Sequence, residues 1–412
     1  MDPITTALLW DWLAFALRWL HVITGIAWIG SSFYFIALDL SLKRHGGLPA
    51  GVDGEAWQVH GGGFYNIRKY LVAPDALPEQ LTWFKWESYS TWLSGFALLA
   101  VMYYAGAELY LIDPSVMDLT PAEAVGISLA SLALGWLAYD ALCRSPIGRD
   151  QTRLMLVLFG LLVAMAWGYT QVFSGRAALL HLGAFTATIM SANVFFIIIP
   201  NQKVVVADLK AGREPAPHLG AQAKQRSLHN NYLTLPVVFL MLSNHYPLAF
   251  ASAWNWVIAT LVFLMGVTIR HYFNTLHATG RGPLWTWGAT AAIFALITAL
   301  SFAPRPLNLG PEAQALDRAT LRLASAVEFE EVHVTVLGRC AMCHAAEPFW
   351  DGIVRPPKGV VLETEDDVLR QARAIYLQAA HTNAMPPGNI TYMEDWERAL
   401  IARWYRDGVA GD

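Results

Sequence analysis

The densest concentration of reactive side chains in the sequence is Cys340-Ala341-Met342-Cys343-His344. Two thiols three positions apart, with an imidazole beside the second, form the C-x-x-C-H pattern of haem c attachment. The spacing has a chemical reason. The two thiols add across the two vinyl groups of one porphyrin, and the adjacent His344 then sits under the iron as proximal ligand. A zinc half-site would need a second Cys/His pair at ligand spacing, and the sequence offers none. The chain of 412 residues has three cysteines, too few for a disulfide framework. Cys143, beside Arg144, reads as a small apolar residue that carries a thiol.

The iron needs a sixth ligand. Met385, in Asn383-Ala384-Met385-Pro386-Pro387-Gly388, supplies a thioether, which holds the potential high so that the haem accepts electrons. Met393 is the alternative, but it opens the last helix. An acidic helix over 324–338 should precede the motif, an amphipathic helix over 365–380 should follow, and the tail should end in a helix over 391–407. There Trp396, Leu400 and Trp404 recur at helical spacing. This tail resembles a small class I cytochrome c, in which the first and last helices pack together.

The rest of the chain must hold this unit. The sequence is 55% hydrophobic and 15% charged, with a mean hydropathy of +0.37. Soluble domains carry about 25% charged residues, so much of this chain belongs in lipid. Seventeen Trp, many near the ends of apolar runs, fit an interfacial aromatic belt. The net charge of −4 and the lack of any nucleic-acid motif exclude a nucleic-acid partner. A helix needs about 20 apolar residues to cross a bilayer. Eight segments meet that need: 12–38, 81–105, 122–143, 154–173, 177–200, 232–252, 254–274 and 284–302. The first has no small-residue cleavage site behind it and is too long for a signal-peptide core, so it reads as a retained helix. The expectation is an all-α protein. A polytopic membrane bundle of about eight transmembrane helices (residues 1–303) leads through a Pro-rich linker (304–318) into a C-terminal class I cytochrome c domain (319–412).

Lys and Arg fix the orientation. They gather in the first, third, fifth and seventh loops, for example Lys43, Arg44, Arg68 and Lys69, or Lys203, Lys210, Arg213, Lys224 and Arg226. The alternate loops are poor in them. Both termini then face outward, to the periplasm in a Gram-negative bacterium, which is also the side on which bacteria attach haem c.

Ionisable side chains inside spans are costly and default to functional roles. Helix direction sorts them into two layers. Arg18, His21, His181 and His245 lie in the outer half or near the middle. Glu87, Asn193, His229, Asn230, Asn231, Arg270 and His271 lie near the cytoplasmic face, and His60, before Gly61-Gly62-Gly63, could join them. An outer pair such as His21 and His245 could ligate a haem b, although a hydrogen-bonded interhelical histidine is the blander reading. Arg270 with the Asn pair could hold a planar anion, against the plainer roles of snorkelling and capping.

The run Arg18 to Phe35, the segment Arg226-Ser227-Leu228-His229-Asn230-Asn231-Tyr232-Leu233-Thr234-Leu235-Pro236, the turn Ser243-Asn244-His245-Tyr246-Pro247 and the fused C-x-x-C-H tail resemble one family across essentially the whole chain. It is the bacterial membrane-bound, cytochrome c-fused urate oxidase (urate hydroxylase). The first-helix run is also similar to bacterial protoporphyrinogen oxidases, in which a His at the position of His21 ligates haem b. The resemblance implies conversion of urate and water to 5-hydroxyisourate in purine catabolism. Two electrons would pass one at a time through haem c to a respiratory-chain acceptor, at the bacterial cytoplasmic membrane. Only the attachment residues Cys340, Cys343 and His344 transfer with it. From the layering, His229, His271 or Glu87 could supply the base, and Arg270 could neutralise the anion. The rivals are a quinol-linked or other respiratory electron-transfer cytochrome without urate activity, and a transporter with a redox sensor, which the lack of an inverted repeat disfavours.

Overall fold

The computed structural model describes residues 2–70, 78–303 and 329–409. The expected linker, 304–318, and the start of the C-terminal unit at 319 lie outside the described residues. The chain is mostly helical, as expected. Among the described residues six helices are long and apolar enough to cross a membrane. They are α1 (Pro3–Ser41), α4 (Pro121–Arg144), α5 (Gln151–Thr170), α6 (Gly175–Ala192) running on into α7 (Ile199–Lys210), α10 (Asn255–Thr279) and α11 (Trp285–Phe302).

Two of the eight expected spans differ from this set. The segment 81–105 forms α2 (Trp86–Leu99), continued by a wider π turn, Ala100–Tyr104, before the short α3 (Ala107–Tyr110). The segment 232–252 belongs to α8 (Pro217–Ser243), whose first half carries Lys224, Arg226, His229 and two asparagines. Its outer end stops at Ser243, and Pro247 opens a separate short helix, α9 (Pro247–Phe250), because a proline cannot continue the α hydrogen-bond ladder.

Local signals start these helices where polar side chains can satisfy free N–H groups. Thr120 and Glu123 cap α4 reciprocally, Asp150 accepts from Thr152 and Arg153 at the start of α5, and Ser174 caps α6. Helix α6 is the centre of the bundle, packed against α4, α5 and α8, with Leu182, Phe185 and Ile189 buried. Gly266 of α10 lets Pro236 of α8 approach. A Cβ on Gly266 would lie 2.6 Å from the Pro236 ring.

One element corrects the all-α expectation. Strands β1 (Val52–His60) and β2 (Gly63–Tyr70) pair antiparallel around a Gly61-Gly62 turn, so His60 belongs to a hairpin tip and not to the inner layer of the spans. Large apolar side chains on both sides of a glycine turn, Trp57 and Val59 before it and Phe64 after it, are the signal of this hairpin.

The C-terminal unit contains α12 (Phe329–His344), α13 (Glu365–Arg370), α14 (Ala372–Ile375), a π turn (Tyr376–His381) and α15 (Asp395–Trp404). Its core includes Val332, Val336, Val368, Ile375, Leu400 and Ile401. The first and last described helices meet as expected, with the Phe329 and Trp404 rings 5.7 Å apart.

Candidate functional site

Helices α1, α2, α6–α7 and α8 enclose a cavity of about 380 Å³ at the level of the inner polar layer. Trp28, Phe35, Trp83 and Phe84 give it aromatic walls. Ser31, Ser32, Gln202, Asn230 and Thr234 give it hydroxyl and amide groups. Glu87, in the first turn of α2, is its only carboxylate among the lining residues. That carboxylate makes no ion pair or side-chain hydrogen bond among the described residues, so its lone pairs are free to accept a proton.

Asn230 is held rigidly. Its Nδ2 donates to the Met190 carbonyl (2.9 Å) and its Oδ1 accepts from Asn193 Nδ2 (2.9 Å). Asn193 Nδ2 also donates to Tyr139 Oη (3.0 Å), and Tyr139 Oη lies 2.7 Å from His229 Nδ1. With its oxygen already accepting, Tyr139 donates to His229. The imidazole proton then sits on Nε2, which is buried without a partner among the described residues. His229 thus stands behind the cavity wall as the end of a relay rather than in the cavity. Arg226, stacked 4.8 Å over Tyr139, donates to Asp140 at 2.7 Å.

Arg270 lies in a second cluster on the far side of α8. Its Nε and Nη2 donate to Asn231 Oδ1 (3.3 Å) and Asn274 Oδ1 (3.1 Å), and its guanidinium covers Phe33 at 4.1 Å. Asn231 is 0% and Arg270 5% exposed. No carboxylate pairs with Arg270 among the described residues. It is therefore a buried positive charge one residue behind the wall, since Asn231 and Phe33 adjoin Asn230 and Ser32 in sequence. Such a charge is poorly screened and draws anions toward the cavity. His271 is exposed, 6.1 Å from Trp285, and joins neither cluster.

The outer histidines do not converge. His21 Nδ1 lies 3.0 Å from the Thr91 carbonyl and 3.3 Å from Ser94 Oγ, while His245 is exposed in the turn beyond α8. Among the described residues no hydrogen bond or ring contact joins the two histidines. His181 is fully committed, to Ser128 Oγ and the Ala177 carbonyl, both at 2.8 Å.

The C-terminal donors do fit a haem c. Both thiols are free, and burial pushes that of Cys340 up to about 12. His344 Nδ1 lies 2.9 Å from the Val360 carbonyl, which fixes the ring and leaves Nε2 as the ligating nitrogen, the usual arrangement of a metal-bound imidazole. Met393 is 3% exposed inside the core, while Met385 is half-buried on a loop clamped by Arg398. Arg398 Nη1 donates to the Met385 carbonyl (2.9 Å) and the Ala379 carbonyl (2.6 Å). That loop also meets the bundle. Together with Leu109, Tyr110, Arg176 and Phe250 of the outer face, Asn383, Ala384, Pro387 and Gly388 line a small cleft.

Sequence reasoning reached Glu87, Asn193 and Asn230 because polar groups in apolar spans stand out. It missed Trp28, Trp83, Gln202 and Tyr139. The Ser31-Ser32 pair at the end of a Gly-rich helical run is the signal that could have pointed to α1 as a cavity wall.

No curated protein and no solved structure matches this chain. The family described as "Urate oxidase N-terminal" matches residues 7–301. The aromatic, amide-lined cavity with its single carboxylate lies wholly within that match, and the chain belongs to the urate oxidase N-terminal family.

Proposed function

We propose that the protein is a urate hydroxylase of the bacterial cytoplasmic membrane. Its eight spans would be the six apolar helices with α2 and α8, and its C-terminal cytochrome c unit would lie in the periplasm. The observation that carries the reading is the cavity around Glu87. A purine trione is flat, heteroaromatic and anionic. Aromatic walls suit its faces, fixed amides such as Asn230 suit its edge, and the buried Arg270 favours its charge.

The overall step balances as urate plus water giving 5-hydroxyisourate, two electrons and two protons. Water adds at C5, forming a C–O bond. Glu87 takes the proton of the attacking water, and the second proton leaves to solvent. Asn230 orients the ring, held from behind by Asn193 and Tyr139. Cys340, Cys343, His344 and Met385 would hold a haem c, which when bound would supply one-electron acceptor chemistry.

The test is anaerobic. Purified oxidised protein is mixed with urate and the haem absorbance bands are followed. Reduction of a c-type band at near-stoichiometric urate is the expected result. No reduction by urate, with normal reduction by dithionite, would overturn the proposal in favour of a respiratory relay.

A further inference from the structure

The β1–β2 hairpin is the one described element that the cavity and the C-terminal unit leave without a role. Three contacts tie it to α1. The Lys43 and Glu55 backbones exchange hydrogen bonds of 2.8 and 3.1 Å, Lys69 pairs with Asp39, and Tyr34 Oη donates to Gln58 Oε1 at 2.6 Å. Gln58 is further along the hairpin than Glu55, and Tyr34 is nine residues further back along α1 than Lys43. The hairpin therefore folds back beside the helix instead of projecting away from it. Its tip, Gly61-Gly62, lies about 10 Å beyond Gln58 at strand rise, past the level of Tyr34 and so past the inner end of the apolar stretch of α1.

The two faces of the ribbon differ. Gln58 and its cross-strand partner Tyr65 share the face toward Tyr34. The other face has Glu55 and Arg68 at its base and Trp57, Val59 and Phe64 toward its tip. Those three are 68%, 69% and 77% exposed. Glu55 gathers the polar groups of the base, with Asn66 Nδ2 at 3.1 Å and Arg68 Nε at 3.3 Å. From Ala56 to Ile67 there is no Asp, Glu, Lys or Arg.

We propose that the hairpin tip is a lipid-binding wedge, seated in the headgroup and upper acyl region of the leaflet that surrounds the C-terminal end of α1. The proposal rests on α1 spanning the membrane. An uncharged aromatic tip over a charged base is the polarity gradient of that interface, where tryptophan is favoured. Deeper insertion is excluded, because a two-stranded ribbon has unpaired backbone groups on both edges and these cannot be desolvated in hydrocarbon. The uncharged aromatic tip beside a helix of membrane-spanning length favours phospholipid as the occupant, and a second copy of the chain is the rival that the test separates.

The full-length protein, carrying Cys143→Ala so that Cys340 and Cys343 are its only native cysteines, is reconstituted in phosphatidylcholine nanodiscs. Single spin labels at Phe64→Cys, Arg68→Cys and Ile26→Cys report accessibility to oxygen, which partitions into lipid, and to a water-soluble nickel chelate. The expected result is chelate accessibility at Phe64→Cys severalfold below that at Arg68→Cys, with oxygen accessibility between those of Arg68→Cys and Ile26→Cys. A Phe64→Cys label freely reached by the chelate, with Ile26→Cys protected, would overturn the wedge alone. A label shielded from both reagents and broadened by a neighbouring label would overturn it in favour of a second copy of the chain. Chelate access at Ile26→Cys would instead sink the membrane reading beneath it. Phe64 and Ile26 are both exposed, so neither substitution disturbs packing.

Discussion

Glu87 is chemically conspicuous because nothing holds its carboxylate. Asp140 of α4, by contrast, is committed to Arg144 and Arg226. General-base assistance contributes about 10²- to 10⁴-fold to rates, so Glu87→Gln, which keeps shape and hydrogen bonding, is expected to lower kcat for urate by that order. KM should change only slightly, because the substrate's charge is balanced mainly from behind by Arg270. Stopped-flow haem reduction measures both, and an unchanged kcat would remove Glu87 from the mechanism. At this scale the sequence was most informative where chemistry dictates spacing. Cys340, Cys343 and His344 stand out in the chain because their separation is the one that a porphyrin's two vinyl groups would impose. Arg270 was identified, but not that it would sit behind the wall, since the rotation of α10 about its axis is set by the contact of Gly266 with Pro236. His21 and His245 looked like partners because both lie toward the same end of the bundle, whereas His21 faces Thr91 and Ser94 of α2 and His245 is exposed in the turn beyond α8.

Among elements, the hairpin was the least legible. Three consecutive glycines at 61–63 read as a loop, and the flanking strands are too short to outweigh the helical pattern on either side. Its base responds to acid. Side-chain hydrogen bonds from Asn66 first, then from His45, hold the Glu55 carboxyl at about 2 against an ordinary 4.5. A carboxyl depressed by folding stabilises the hairpin fully above its unfolded value and loses that contribution as pH falls through its folded one. The hairpin is therefore expected to loosen between pH 4.5 and about 2, seen as narrowing of the spin-label spectrum at Phe64→Cys. In the Glu55→Gln background the mobility of the same label should vary less over that interval, the remainder coming from the Lys69–Asp39 and Arg44–Asp53 pairs. A profile in the parent protein that is flat over the interval would show that the base does not hold the ribbon. The spans were easier to recognise, because length and apolarity suffice for six of them. The segments 81–105 and 232–252, also expected to span, became the short α2 and the half-polar α8, and both of those helices line the cavity.

For the molecule as a whole, the consequential contact joins the two units. The loop of Met385, which the proposed haem would use for its sixth ligand, rests on the bundle, with Ala384 packed into the bundle's core cluster. Gly388 adopts φ +54°, and a Cβ there would lie 2.3 Å from the Ile112 carbonyl oxygen. Gly388→Val is expected to lift the loop from the bundle. Interdomain label distances between Arg176→Cys and a site on α15 should lengthen and broaden, while the haem attachment stays intact by mass. Unchanged distances would mean that the contact does not hold the units together. Composition and the charge of the loops raised the expectation of two units and of an orientation. They could not announce which loop touches, because that contact depends on the arrangement of three outer turns far apart in sequence.

The π turn at Asn193–Ile198 has a further effect. Met190, Val194, Ile198 and Gln202 all line the cavity at a strict spacing of four. An α-helix advances about 100° per residue, so each step of four overshoots a full circle by about 40°, and three steps would carry Gln202 about 120° away from the direction of Met190. A wider turn advances less per residue and unwinds that overshoot midway. One swollen turn thus keeps four side chains in a single vertical file from the middle of the bundle to its inner rim, so that a helix which would otherwise spiral out of the chamber stays along its wall.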